Sequence, residues 1–104
     1  METRRGSSMK FKDDVVWTDI HPKIEQILHG VDAVFNTFGV EAVITSGRDG
    51  KHMTGSKHYE GKAFDLRTWH VIDAVAKQLR AYLGKEYDVV VEADHLHIEY
   101  DPKS

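Results

Sequence analysis

Apolar residues recur along the chain with two periods, and the switching between them marks out the elements. From Pro22 onward, Ile24, Ile27, Leu28, Val31, Val34, Phe35 and Phe38 recur at spacings of three and four. That is the stripe of a single helix burying one face. Proline is pre-set for a first helical turn, a polar residue precedes it, and Gly39 supplies the stop. His29 falls on the polar side of the stripe and reads as a solvated helix histidine. A second stripe, Val71, Ile72, Val75, Ala76, Leu79 and Leu83, predicts a helix over 69–83 with Thr68 as its cap and Gly84 as its end.

The remaining segments are short and rich in β-branched or aromatic residues. Residues 41–46, 62–67, 87–91 and 95–100 read as strands. Ala93-Asp94 is short enough for a tight hairpin turn, although it contains no glycine. Residues 9–20 have little periodicity, but Val15, Val16, Trp17 and Ile20 can cover one side of a core. Residues 47–57 are polar and glycine-rich, a loop too long for a hairpin turn and of the kind that often carries function in a small domain. The order predicts an α+β fold, with two helices on one face of a small, mostly antiparallel sheet of about four strands. The opposite face is left to carry a site.

Composition narrows the chemistry. At 104 residues the chain fits one domain, here 9–104, with residues 1–8 read as a flexible arm or a cloning remnant. A net charge of −3 argues against a basic nucleic-acid-binding surface. No apolar run approaches the ~20 residues needed to cross a bilayer. Met1–Ser8 lacks the apolar centre of a signal peptide, so the chain is expected to be cytoplasmic as synthesised, with later release left open. Cysteine is absent, so any transition metal must be held by histidine and carboxylate.

Such groups are concentrated in two places. His58 and Asp65 lie seven positions apart around Gly61, and Glu92-Ala93-Asp94-His95-Leu96-His97 brings two histidines and two carboxylates together. Asp65 sits between Phe64 and Leu66, where an unpaired buried carboxylate is costly. A salt bridge to Arg67 or Arg48 would satisfy it, and so would a metal shared with His58. On an extended strand His95 and His97 face the same way, which a core would not choose. Imidazole and carboxylate are the ligands of catalytic zinc, which keeps one position for water, and a nearby carboxylate can act as general base. The pattern points to a small zinc hydrolase.

The run Ser56-x-His58-x-x-Gly61-x-Ala63-x-Asp65, followed by a carboxylate-x-x-His, resembles the zinc D-alanyl-D-alanine carboxypeptidase and L-alanyl-D-glutamate endopeptidase family, whose fold is shared with the hedgehog signalling domain. The resemblance spans roughly residues 40–100. It implies that His58 and Asp65 are zinc ligands, that a later histidine is the third, and that the carboxylate three positions before it is the base. Two registers satisfy this: Asp94 with His97, or Glu92 with His95. The first is preferred, because the Asp-His-Leu-His run is similar to family members with a His-x-His pair whose second histidine binds zinc. His95 would then steady the transition state or leaving group. Arg48 is implied as the charge that polarises the scissile carbonyl, with an ordinary surface ion pair as the alternative. Ser56 and Tyr59 are candidate substrate contacts. The implied activity is Zn2+-dependent hydrolysis of peptidoglycan stem peptides at a D-Ala-D-Ala or L-Ala-D-Glu bond, by a monomer without nucleic-acid or membrane partners. Its size would suit a phage endolysin or entry protein acting on the wall after release, or a bacterial recycling enzyme. A non-catalytic zinc-stabilised binding domain of the hedgehog type is the alternative.

Overall fold

The structure, a computed structural model, describes residues 9–48 and 57–102. The elements run β1 (Lys10–Phe11), α1 (Pro22–Glu25), α2 (Leu28–Thr37), β2 (Val43–Ser46), β3 (Ala63–Leu66), α3 (Ile72–Leu83), β4 (Tyr87–Val91) and β5 (Leu96–Tyr100). The α+β class holds. The sheet, however, has five strands in the order β1-β2-β3-β5-β4, and it is mixed. The added strand is β1, parallel to β2 with Lys10 opposite Val43, while the other pairings are antiparallel. Two exposed residues have no alternation to read. Their pairing rests on backbone bonds instead, Lys10 N to Ala42 O and Lys12 N to Ile44 O, both 2.9 Å.

The first helix is broken where one was expected. His21 caps α1 by accepting from Lys23 N through Nδ1, and Pro22 occupies the first turn. In an unbroken helix, Ile27 N would bond to Lys23 O. The Tyr87 hydroxyl donates to that carbonyl instead, at 2.7 Å, and Ile27 N turns to Ile24 O. The apolar stripe survives the break: Ile24, Ile27, Val31 and Phe35 are all buried in the core. The last helix starts later than predicted, at Ile72, with Val71 and not Thr68 at its cap. Residues 69–71 form a turn in which Trp69 O accepts from Ile72 N and the indole N–H donates to Glu41 O. Gly84 ends this helix at φ 79°, its N–H bonded to Arg80 O.

Period-two alternation divides the sheet into two faces. Ile44, Phe64, Leu66, Val89, Leu96 and Ile98 join the buried helix residues in one core. Asp65, His97 and Glu99 therefore belong to the opposite face, with Asp65 directly across from His97. The β4–β5 connection is the expected tight turn: Glu92 N donates to His95 O at 2.8 Å, and neither Ala93 nor Asp94 has positive φ.

Gly61 fixes the entry into β3. It has φ 72°, and a Cβ there would strike the backbone carbonyl of Asp19. Gly39 has a similar φ of 77° but open space around it. Gly61→Ala is therefore expected to cost roughly 2–4 kcal/mol, from left-handed strain plus the clash, against about 1 kcal/mol for Gly39→Ala. Denaturant unfolding of the two variants checks this.

Candidate metal centre

The site is built from a pair of facing strand residues and one turn. The β3–β5 register sets Asp65 against His97 on the face away from the helices. His58 arrives from the turn before β3, which is closed by Lys62 N to Lys57 O and Gly61 N to His58 O bonds. His58 and Asp65 are buried and His97 is nearly so.

Three atoms meet there in a triangle. His58 Nε2 lies 3.2 Å from Asp65 Oδ1, His97 Nδ1 lies 2.9 Å from that same oxygen, and the two nitrogens are 3.2 Å apart. The outward atoms decide what these inward atoms present. His58 Nδ1 is 2.8 Å from the Gly47 carbonyl, which can only accept, so Nδ1 carries a hydrogen; the neutral ring then offers a lone pair at Nε2, and a second proton there would donate to Asp65. His97 Nε2 donates to Glu99 Oε1 at 2.8 Å, which leaves Nδ1 facing Asp65. Such outer hydrogen bonds are what orient metal-binding imidazoles. The cluster can hold a metal ion.

Without one, a proton must sit in the triangle. Burial works against a charged His97, but hydrogen bonds to Asp65 and Glu99 outweigh it and push its pKa up to about 9. Burial likewise favours a neutral Asp65, yet hydrogen bonds from His58 and His97 hold its carboxyl well below the usual range.

The other predicted residues are distributed around this centre. His95 Nδ1 donates to Asp94 Oδ1 at 2.6 Å, and its Nε2 lies 3.7 Å from Asp65 Oδ2 and 3.8 Å from Glu92 Oε2. His95 and Glu92 thus stand beside the triangle, not in it. Asp94 is exposed at the β4–β5 turn. Arg48 reaches neither Asp65 nor the histidines in any of its described contacts; its guanidinium bonds to Tyr59 O, Thr18 O and Asp19 Oδ2. Tyr59 is exposed, and Ser56 lies outside the described residues. A groove of about 400 Å3 beside the triangle is lined by Lys12, Thr45, Asp65, Arg67, Asp94 and His95. Lys12, Thr45, Gly47 and Glu99 are the participants the sequence reading missed, and it treated Arg67 only as a partner for Asp65. Glu99 was findable, since His97-x-Glu99 places both on one strand face.

No protein-family model, curated protein or solved structure matches the chain.

Metal-free His97 has a folded pKa near 9 against about 6.5 unfolded, so its stabilisation is complete below about pH 6.5 and is lost as pH rises through 9. Chelator-treated protein is expected to unfold more easily at pH 9.5 than at pH 6, and metal binding at pH 7 to release about one proton. Denaturation at the two pH values, and calorimetry in buffers of different ionisation enthalpy, read these directly. Replacing the outer partner by Glu99→Gln is expected to weaken metal binding about 10- to 100-fold with the fold intact, measured by competition with a chromogenic chelator.

Proposed function

We propose that the protein is a zinc peptidase that cuts short peptides of the peptidoglycan stem type. The observation that carries this reading is the triangle of His58 Nε2, Asp65 Oδ1 and His97 Nδ1 beside a groove into which Asp94 also faces. Two imidazoles and one carboxylate are a donor set that suits zinc while leaving a position open. Around a tetrahedral ion with bonds of about 2.0–2.1 Å, ligand atoms stand roughly 3.3 Å apart, close to the edges of this triangle. The resemblance of Ser56 to Asp65 to cell-wall peptidases supplies the substrate class.

Zinc bound there would supply Lewis acidity, activating water and polarising an amide carbonyl. The protein's own groups supply the rest. Asp94 accepts the proton of the attacking water as the C–O bond forms, and delivers it to the amine as the C–N bond breaks. Its carboxylate is aimed by the His95 Nδ1–H bond, so the two residues act as one unit. Glu92 pairs loosely with the far side of His95 and takes no proton in this scheme.

The test is zinc content alongside amine release from purified peptidoglycan, for wild type, Asp94→Asn and Glu92→Gln. One zinc per chain in all three is expected, with hydrolysis reduced about 10²–10⁴-fold in Asp94→Asn alone. Loss in Glu92→Gln with Asp94→Asn active would move the base to Glu92. Zinc bound without hydrolysis by the wild type would favour a non-catalytic zinc-stabilised binding domain.

A further inference from the structure

The groove beside the metal centre has a cationic wall that the proposed chemistry does not use. Resting on the peptidase reading, we infer that Lys12 and Arg67 form a carboxylate-binding subsite, so that the substrate is a peptide with a free carboxylate beside the bond being cut.

Both cations line the groove that Asp65, Asp94 and His95 also line. Both are anchored to the same strand: Lys12 N donates to Ile44 O and Arg67 N to Val43 O, each at 2.9 Å. The Arg67 guanidinium lies over the Trp69 ring, 5.5 Å from its centroid, and Trp69 is itself tied to Glu41 O. Stacking of this kind restrains a guanidinium before any ligand arrives, which lowers the cost of binding. Three other cations have carboxylate partners: Lys10 pairs with Glu41, Arg48 with Asp19 and Lys62 with Glu60. Among the described residues Lys12 and Arg67 have none, in a chain with three more acidic than basic groups.

The groove therefore has polarity. Lys12, Thr45 and Arg67 come from the β1–β3 side, and Asp94 and His95 from the β4–β5 turn. A peptide lying across it would set its amide near Asp65 and Asp94 and its anion on the opposite wall. The planar Arg67 fork can take a carboxylate through two parallel bonds, and a neutral amide in that place forfeits the charge. Two carboxylates of a stem peptide meet the requirement: the C-terminal one, if the last residue is removed, and the α-carboxylate of the γ-linked D-glutamate, if the bond before it is cut.

The experiment uses the zinc-loaded full chain and the peptide L-Ala-γ-D-Glu-L-Lys-D-Ala-D-Ala, with all carboxylates free, with a C-terminal amide, or with the glutamate α-carboxylate as amide. Wild type is expected to lose about tenfold or more in kcat/KM on one of the two amides, chiefly through KM, and which one identifies the carboxylate held. Arg67→Gln and Lys12→Gln should each shrink that acid-to-amide ratio towards one while binding zinc as the wild type does. Equal cleavage of acid and both amides by the wild type, or an unchanged ratio in both variants, overturns the subsite and leaves the peptidase reading standing. If the zinc-loaded chain cleaves none of the peptides, the peptidase reading fails and calorimetric binding decides the subsite. Tighter binding of the acid by wild type but not by Arg67→Gln then upholds it, and equal binding overturns it.

Discussion

Three polar atoms, His58 Nε2, Asp65 Oδ1 and His97 Nδ1, held within 3.2 Å of one another are the constraint around which this molecule is arranged. Lone pairs at that distance repel unless a positive charge stands between them, and burial removes the water that would otherwise relieve them. The fold nevertheless holds them from behind. Gly47 O fixes the tautomer of His58, Glu99 that of His97, and strand pairing fixes Asp65. Buried hydrogen bonds thus aim three groups at one point, where a proton sits or a metal ion could be held.

The requirement reaches into the sheet register. Asp65 faces His97 only while Phe64 pairs with Ile98 and Leu66 with Leu96, and those four side chains are buried in the core under the helices. A slip of one residue in β5 would put His97 into that core and Leu96 onto the site face. Hydrophobic burial on one side of the sheet thus sets the geometry of the triangle on the other. Among the described residues the turn that bears His58 is the part of the centre outside the strands, and Gly61 at positive φ makes that turn possible.

What could be read from the sequence follows from where the signal is local. The cluster of His58, Asp65 and His97 that could hold a metal was legible because it combines a turn glycine with period-two alternation, in Asp65 between Phe64 and Leu66 and in His95-x-His97. Strand existence was legible for the same reason. The break at Ile27 was not, because the hydroxyl that takes the Lys23 carbonyl belongs to Tyr87, sixty-four residues away. β1 was not legible either, since a two-residue parallel pairing is specified by its neighbour's backbone and not by its own side chains. Thr68 looked like a helix cap by type, but Trp69 docks its indole on Glu41 O and postpones the helix to Ile72. Long-range hydrogen bonds, in each case, outweighed local preference.

The contacts of Arg48 favour the ion-pair alternative over a charge that faces substrate. Its placement just after β2, near the histidine turn, invited the role of a charge acting on a substrate oxygen. In the structure Gly47 and Arg48 together grip the turn that bears His58: the Gly47 carbonyl takes the imidazole N–H, and the Arg48 guanidinium takes the carbonyl of the next residue, Tyr59. Further bonds from Arg48 to Val16 O, Thr18 O and Asp19 clamp the 16–19 segment to that turn. A guanidinium with this many acceptors is satisfied where it stands, and freeing it to meet a substrate would loosen the turn that bears His58. Positive charge for the groove must then come from elsewhere, and Lys12 and Arg67 are the cations that line it.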